Sequence, residues 1–219
     1  MGLLDRLASR RSDSNEQLAH EASRAEDLVF STKALRKFLS ALVAKDSTTL
    51  LDLAPVAGSN ITFFGEHLGC KVLVEDVFVE IDRHTREQRL DALPAFLSSR
   101  FPQADASVDG ILCWDVMDYL DRPSAQALAN QLTRLLKPEG ALLAFFGTAP
   151  PIDARYTRYV IVDETSVKCR PYPAARERQS ALVNREIIRL FERLRVSDSF
   201  LLQNNLREIL FRKPAYETS

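Results

Sequence analysis

The chain has 219 residues, of which 46% are hydrophobic and 27% charged, with a formal net charge of -1. That composition suits one sizeable globular domain, and the balanced charge excludes a global basic footprint for nucleic acid. No stretch approaches the roughly 18 apolar residues of a membrane-spanning helix.

The opening stretch MGLLDRLASRR sets Leu3, Leu4 and Leu7 beside Arg6, Arg10 and Arg11. Its apolar part is too short for a secretory signal, and Arg6 breaks the N-myristoylation pattern. A frayed end or a weak surface-docking arm remains. Residues 12–45 carry apolar positions at helical spacing, among them Leu18, Ala22, Leu28, Leu35, Phe38, Leu39 and Leu42. Ser14 and Gln17 have capping-box spacing. Residues 1–45 therefore read as an arm and helical extension, divisible at Ser31–Thr32, ahead of a main domain over 46–219.

From residue 48 the period changes. Thr48–Ala54 is a short apolar strand running into a Pro-containing loop, and Ser59–Leu68 reads as a helix stopped by Gly69. Lys71–Val74 is a second strand ending at Glu75 and Asp76. Residues 84–100 read as a helix broken or kinked by Pro94. Val108–Trp114 is a strand. Asp121–Lys137 is a helix with Asp121 as its cap and Pro123 in its first turn. Ala141–Phe146 is a further apolar strand. Strands apolar on both faces, alternating with helices, predict an open parallel sheet with helices on both sides.

The pattern then breaks. Tyr159–Val162 and Ser166–Cys169 suggest a hairpin around Asp163–Glu164. Ser180 opens a helix through Arg195, buried through Leu182, Ile187, Ile188, Phe191 and Leu194. Phe200–Leu202 and Leu206–Phe211 flank Gln203-Asn204-Asn205 as an antiparallel hairpin. The cysteines Cys70, Cys113 and Cys169 form no CxxC pair, which fits a reducing, cytoplasmic setting better than a disulfide framework or zinc site.

Four stretches in order and spacing, LLDLAPVAGSN (50–60), KVLVED (71–76), DASVDGILCWDVMDYL (105–120) and LTRLLKPEGALLAFF (132–146), resemble the class I S-adenosylmethionine (SAM) dependent methyltransferases. The resemblance covers about residues 46–213. It implies a Rossmann-like, mostly parallel seven-stranded sheet with one antiparallel strand, Leu206–Phe211, near its end. It implies SAM as cofactor and an unidentified methyl acceptor. The implied cofactor-binding residues are Asp52, Ala54, Gly58 and Asn60 around the first loop, Glu75 on the ribose, and Trp114 and Asp115 after the fourth strand. An acid at a strand end can accept both ribose hydroxyls, a charge-assisted contact. Asp52 and Asn60 could instead cap the following helix, and Trp114 could be core.

The chain departs from the family in two places. The loop after the first strand holds Ala54 and Val56 where the family has glycine, keeping only Gly58. No acid corresponds to the family's adenine contact after a third strand. Residues 148–180 stand where the family often builds a lid, and ten basic against five acidic residues between Arg155 and Arg195 leave a cationic excess there. Two readings follow: a SAM-dependent methyltransferase, or a domain of that fold serving as a binding or regulatory module. A nicotinamide enzyme lacks its Gly-x-Gly pair.

Overall fold

The computed structural model describes residues 28–43, 47–149, 155–179 and 181–215. It begins with strand β1 (Leu28–Ser31) and helix α1 (Ala34–Val43). Strand β2 (Thr49–Asp52) leads into α2 (Gly58–Thr62), which runs on as a π-helical turn over Phe63–His67, and then β3 (Lys71–Val74). Helices α3 (Val77–Arg86) and α4 (Leu93–Ser99) precede β4 (Val108–Trp114), and α5 (Arg122–Leu135) leads into β5 (Leu136–Gly147). A hairpin of β6 (Arg155–Asp163) and β7 (Ser166–Pro173), helix α6 (Asn184–Leu190), and strands β8 (Arg195–Leu201) and β9 (Leu206–Arg212) complete the chain.

Six strands form the main sheet in the order β3-β2-β4-β5-β9-β8. The pairs β2/β3, β2/β4 and β4/β5 are parallel, while β9 runs antiparallel between β5 and β8. The expected antiparallel strand is thus present, but among the described residues the sheet has six strands rather than seven. Between α3 and β4, where the missing edge strand would lie, there are two helical segments and the turn 100–107, which has no alternating apolar run. Arg134 ties that turn down through Phe101 O (3.0 Å) and Gln103 O (2.9 Å).

Alternation along the buried strands divides the core. Leu51, Ile111, Cys113, Leu142, Ala144 and Phe146 face α3–α6, whereas Leu50, Leu112, Trp114, Leu143 and Phe145 face α1 and the π-helical turn. This period of two with both faces apolar is what a sheet covered on both sides requires. Gly110 lets α1 approach: a Cβ there would meet Leu42 Cδ2 at 2.7 Å and Phe38 Cζ at 3.0 Å.

Several local expectations change. Leu28–Ser31 is a strand, not helix, paired antiparallel with β7 from Leu28↔Cys169 to Ser31↔Ser166. Cross-strand pairing of Leu-Val-Phe outweighs the helical spacing. Residues 12–27 lie outside the described residues, as does Ser180. Pro94 sits in the first turn of α4, where it is tolerated, so residues 84–100 hold the end of one helix and a second one. The helix expected to reach Lys137 ends at Leu135, and β5 begins at Leu136. The helix expected over 180–195 spans only Asn184–Leu190, and Ile188 is exposed.

Glu208, fully buried on β9, accepts from Lys33 N (2.7 Å), Ala34 N (3.2 Å) and the Thr32 hydroxyl. It thereby supplies the first turn of α1, whose orphan N–H groups no local acid meets. Glu208→Ala leaves these donors unpaired and should cost roughly 3 kcal/mol, read as a lowered denaturant midpoint with unchanged slope. A loss below about 1 kcal/mol would show that Glu208 does not hold α1.

Candidate functional site

Strand order reverses at β2, with β3 on one side and β4 on the other. In open parallel sheets this is where ligands bind, beyond the carboxyl ends of the strands. Asp52 ends β2, and Trp114 and Asp115 end β4, so topology brings these residues to one crevice.

The Asp52 carboxylate is 3% exposed; its Oδ1 accepts from Ala54 N at 3.1 Å and Trp114 Nε1 at 2.7 Å. Burial pushes this carboxyl up to about 6. Ala54 is buried, and Val56 projects outward with 57% of its surface exposed. A Cβ built on the exposed Gly58 would meet nothing within 4 Å. The loop therefore leaves open space at Gly58 and turns its β-branched side chain away.

Asn60 caps nothing. Its buried amide donates to Tyr159 O (2.9 Å) and accepts from Ile161 N (2.8 Å), so it pins β6. Glu75 is also engaged: Arg100 holds Oε2 at 2.7 Å and Gln103 holds Oε1 at 2.9 Å. Its neighbour Asp76 caps α3 through Phe78 N and Val79 N. Trp114 is fully buried with φ +49°. That conformation is strained for so bulky a residue, and here the hydrogen bond to Asp52 and a parallel stack on Tyr159, with centroids 5.0 Å apart and planes at 8°, hold it.

The hairpin β6–β7 crosses the end of the sheet. Tyr159 and Ile161 belong to the core layer of α1, whereas Tyr156 belongs to the layer of α3–α6, against Phe78 and Tyr119. Tyr156 donates its hydroxyl to Asp82 at 2.6 Å, and Ala175 N reaches the same oxygen at 3.0 Å.

Beyond the hairpin, Arg178 enters between two buried carboxylates. Its Nη2 lies 2.8 Å from Asp115 Oδ2 and its Nε 3.2 Å from Asp118 Oδ2. Asp118 Oδ2 also accepts from Gly147 N at 2.7 Å. Gly147 leaves room for this arrangement, because a Cβ there would lie 2.6 Å from Arg178 Nη1. Asp115 Oδ1 and Asp118 Oδ1 are buried with no hydrogen-bond partner. Burial pushes Asp118 up to about 7 and raises Asp115 as well, with Arg178 opposing both. Burial pulls Arg178 down, but the two carboxylates outweigh it and hold its pKa above the usual value. Chemically, one buried cation faces two acids, and one of those acids titrates near neutrality.

Tyr159, Asp118 and Arg178 are functional candidates that the cofactor set omits. The cationic excess of 155–195 was the only sequence signal for Arg178, because its acidic partners lie about sixty residues away in the chain. Among the described residues no cluster of His, Cys, Asp and Glu could hold a metal ion, and no helix is long and apolar enough to cross a membrane.

No family model matches the chain, and no curated protein matches it. Solved structures do. The [4+2]-cyclase SpnF aligns at TM-score 0.50 and 11% identity, over 84% of this chain and 81% of its own. A Burkholderia thailandensis 1,6-didemethyltoxoflavin-N1-methyltransferase, bound to 1,6-didemethyltoxoflavin and S-adenosylhomocysteine, aligns at 0.49 and 16%, over 98% and 91%. A SAM dependent methyltransferase from Aquifex aeolicus aligns at 0.49 and 17%, over 81% and 88%. The fold is Rossmann-like, a mostly parallel sheet closed by antiparallel C-terminal strands. Likeness at such identity speaks for the fold alone, and a cyclase stands among these neighbours, so activity rests on the site.

Asp118 gives the site a measurable signature. Its folded pKa lies above the unfolded value, so the folded state holds the proton more tightly and stability falls as pH rises from about 4 through about 7. Asp118→Asn leaves one carboxylate for one guanidinium. The variant should unfold at a higher temperature than the parent at pH 8, and the gap should narrow by more than half at pH 5. Equal melting curves at both pH values would remove Asp118 as a buried titrating acid.

Proposed function

We propose that this protein is a SAM-dependent methyltransferase whose cofactor crevice is closed by its own hairpin, and that the hairpin must move for cofactor to enter. The observation that carries the reading is the crevice itself. An acid-ended β2 meets β4 at the switch point, an open Gly58 follows, and β9 runs antiparallel between β5 and β8. When bound, SAM supplies a sulfonium methyl that an acceptor displaces in line, a reaction in which positioning provides much of the rate. Asp52 would hold the loop through Ala54 N, Gly58 would allow close approach, and Glu75 would serve the ribose once released from Gln103.

In the closed arrangement these residues do not offer their groups to a cofactor. Asn60, Trp114, Asp115 and both oxygens of Glu75 have partners within the chain. Two neutral hydrogen bonds at about 1 kcal/mol each and a ring stack at about 1 kcal/mol set a lower bound on hairpin docking of roughly 3 kcal/mol. The open form then makes up at most about one molecule in 150, and a micromolar intrinsic affinity falls towards the millimolar range.

The filled crevice favours a second reading, in which the hairpin is a permanent part of the core and the domain binds a partner without catalysis. Titration with SAM and S-adenosylhomocysteine, followed through Trp114, the sole tryptophan, separates the two. Tyr159→Leu removes the stack and should tighten binding about fivefold. If neither the parent nor Tyr159→Leu binds either compound, the cofactor reading fails. Binding that the substitution leaves unchanged would sink the gating hairpin alone.

A further inference from the structure

A separate cavity lies on the outer side of the Asp118 turn. It is about 220 Å³ and sits between the start of α5, α6 and the side chains of Gln179 and Leu182. At about 30 Å³ per water it has room for about seven waters, close to the bulk of a leucine. Its floor is apolar: Leu120, Ala125 and Leu190 line it and are each less than a tenth exposed.

The rim is polar and carries both signs. Arg122 and Arg189 line it, and neither guanidinium has a carboxylate or carbonyl partner among the described residues. Asp121 and Glu186 line it too, and each has one oxygen engaged by backbone, Asp121 Oδ1 with Ser124 N at 3.0 Å and Glu186 Oε2 with Val183 N at 3.1 Å. The second oxygen of each acid accepts no hydrogen bond within the described chain. Two cations and two acids around an apolar floor are neutral in sum, so a ligand of one sign leaves half of the rim unanswered.

From this arrangement we propose that the cavity is a binding site for a small zwitterion with an apolar body, of the class of an aliphatic α-amino acid. The carboxylate is held by Arg122 and Arg189, the ammonium by the free oxygens of Asp121 and Glu186, and the side chain lies on Leu120, Ala125 and Leu190. Arginine suits the first role because its planar fork matches a carboxylate. Burial of the aliphatic body on the floor adds the non-directional part of the affinity. The site requires neither SAM nor an open hairpin, so it stands or falls apart from the methyl-transfer reading.

Calorimetric titration of the full chain with L-leucine, 4-methylpentanoate and 3-methylbutylamine tests it. L-Leucine should bind saturably, and the acid without ammonium and the amine without carboxylate should each bind at least about tenfold more weakly. Arg189→Gln, at an exposed position where folding is not at risk, should weaken leucine to a similar degree while leaving the weak binding of the amine unchanged. Absence of saturable leucine binding overturns the proposal. Equal binding of all three compounds overturns it as well, since the charged rim would then contribute nothing, and so does leucine binding that Arg189→Gln does not alter.

Discussion

Arg178 holds the carboxyl end of the sheet in its present form. Two carboxylates buried side by side repel one another, and a low-dielectric site makes that repulsion costly unless a cation stands between them. Asp115 and Asp118 are brought together by the turn after β4, and the sequence within that turn offers no base. The cation comes from beyond the hairpin, so the chain must fold back over the sheet to deliver it. Once Arg178 is in place, the backbone on either side of it has little freedom: Ala175 N meets Asp82, which also takes the Tyr156 hydroxyl, and Gln179 N meets Asp118 O at 2.6 Å. Electrostatics at one end of the sheet thus fixes the path of a whole hairpin.

This constraint explains why the crevice is full. A hairpin anchored at Arg178 and at Asn60 must pass over Trp114, and an aromatic residue at position 159 completes the layer by stacking. Removing the hairpin would expose Trp114, Tyr159 and Tyr156 together, an apolar surface that water does not favour. The closed hairpin thus covers the indole, and Arg178 compensates the acids.

Much of the fold was legible in the sequence, and the exceptions share a cause. Lys71–Val74 and Val108–Trp114 match their expected bounds because each is a short apolar run between clear breakers, the first half-buried and the second buried throughout. Leu206–Phe211 and the antiparallel closing hairpin were legible for the same reason. Leu28–Ser31 was not, because its strand state exists only through β7, some 140 residues further on. The absent seventh strand could be suspected from the lack of an alternating run between Val77 and Phe101, but the number of strands depends on how the edge is covered. At the site, Asp52, Trp114 and Asp115 could be placed near one another from their positions at strand ends, and Asn60 from the helix that follows the first of them. What they bond to could not, since Tyr159 and Arg178 reach them from a separate layer, and Glu75 is claimed by Arg100 and Gln103 from the turn that replaces a strand.

The glycine-poor loop takes on a different meaning in this setting. Val56 stands at a position where bulk facing the crevice would exclude a ligand, yet it points to solvent, and Gly58 has empty space where a Cβ would go. The loop is therefore not what blocks entry. The occupants are Tyr159, stacked on Trp114, and the backbone of β6 on Asn60, all carried by a segment that makes one layer with β1 and is joined to the main sheet by side chains rather than strand pairing. A covalently fixed loop obstruction could be relieved only by mutation. A docked hairpin can be displaced by binding energy, and the cost of displacing it is set by a countable set of contacts. The substitutions at two glycine positions thus bear less on whether the fold can bind a nucleoside than does the strength with which Arg178 and Asn60 hold the hairpin down.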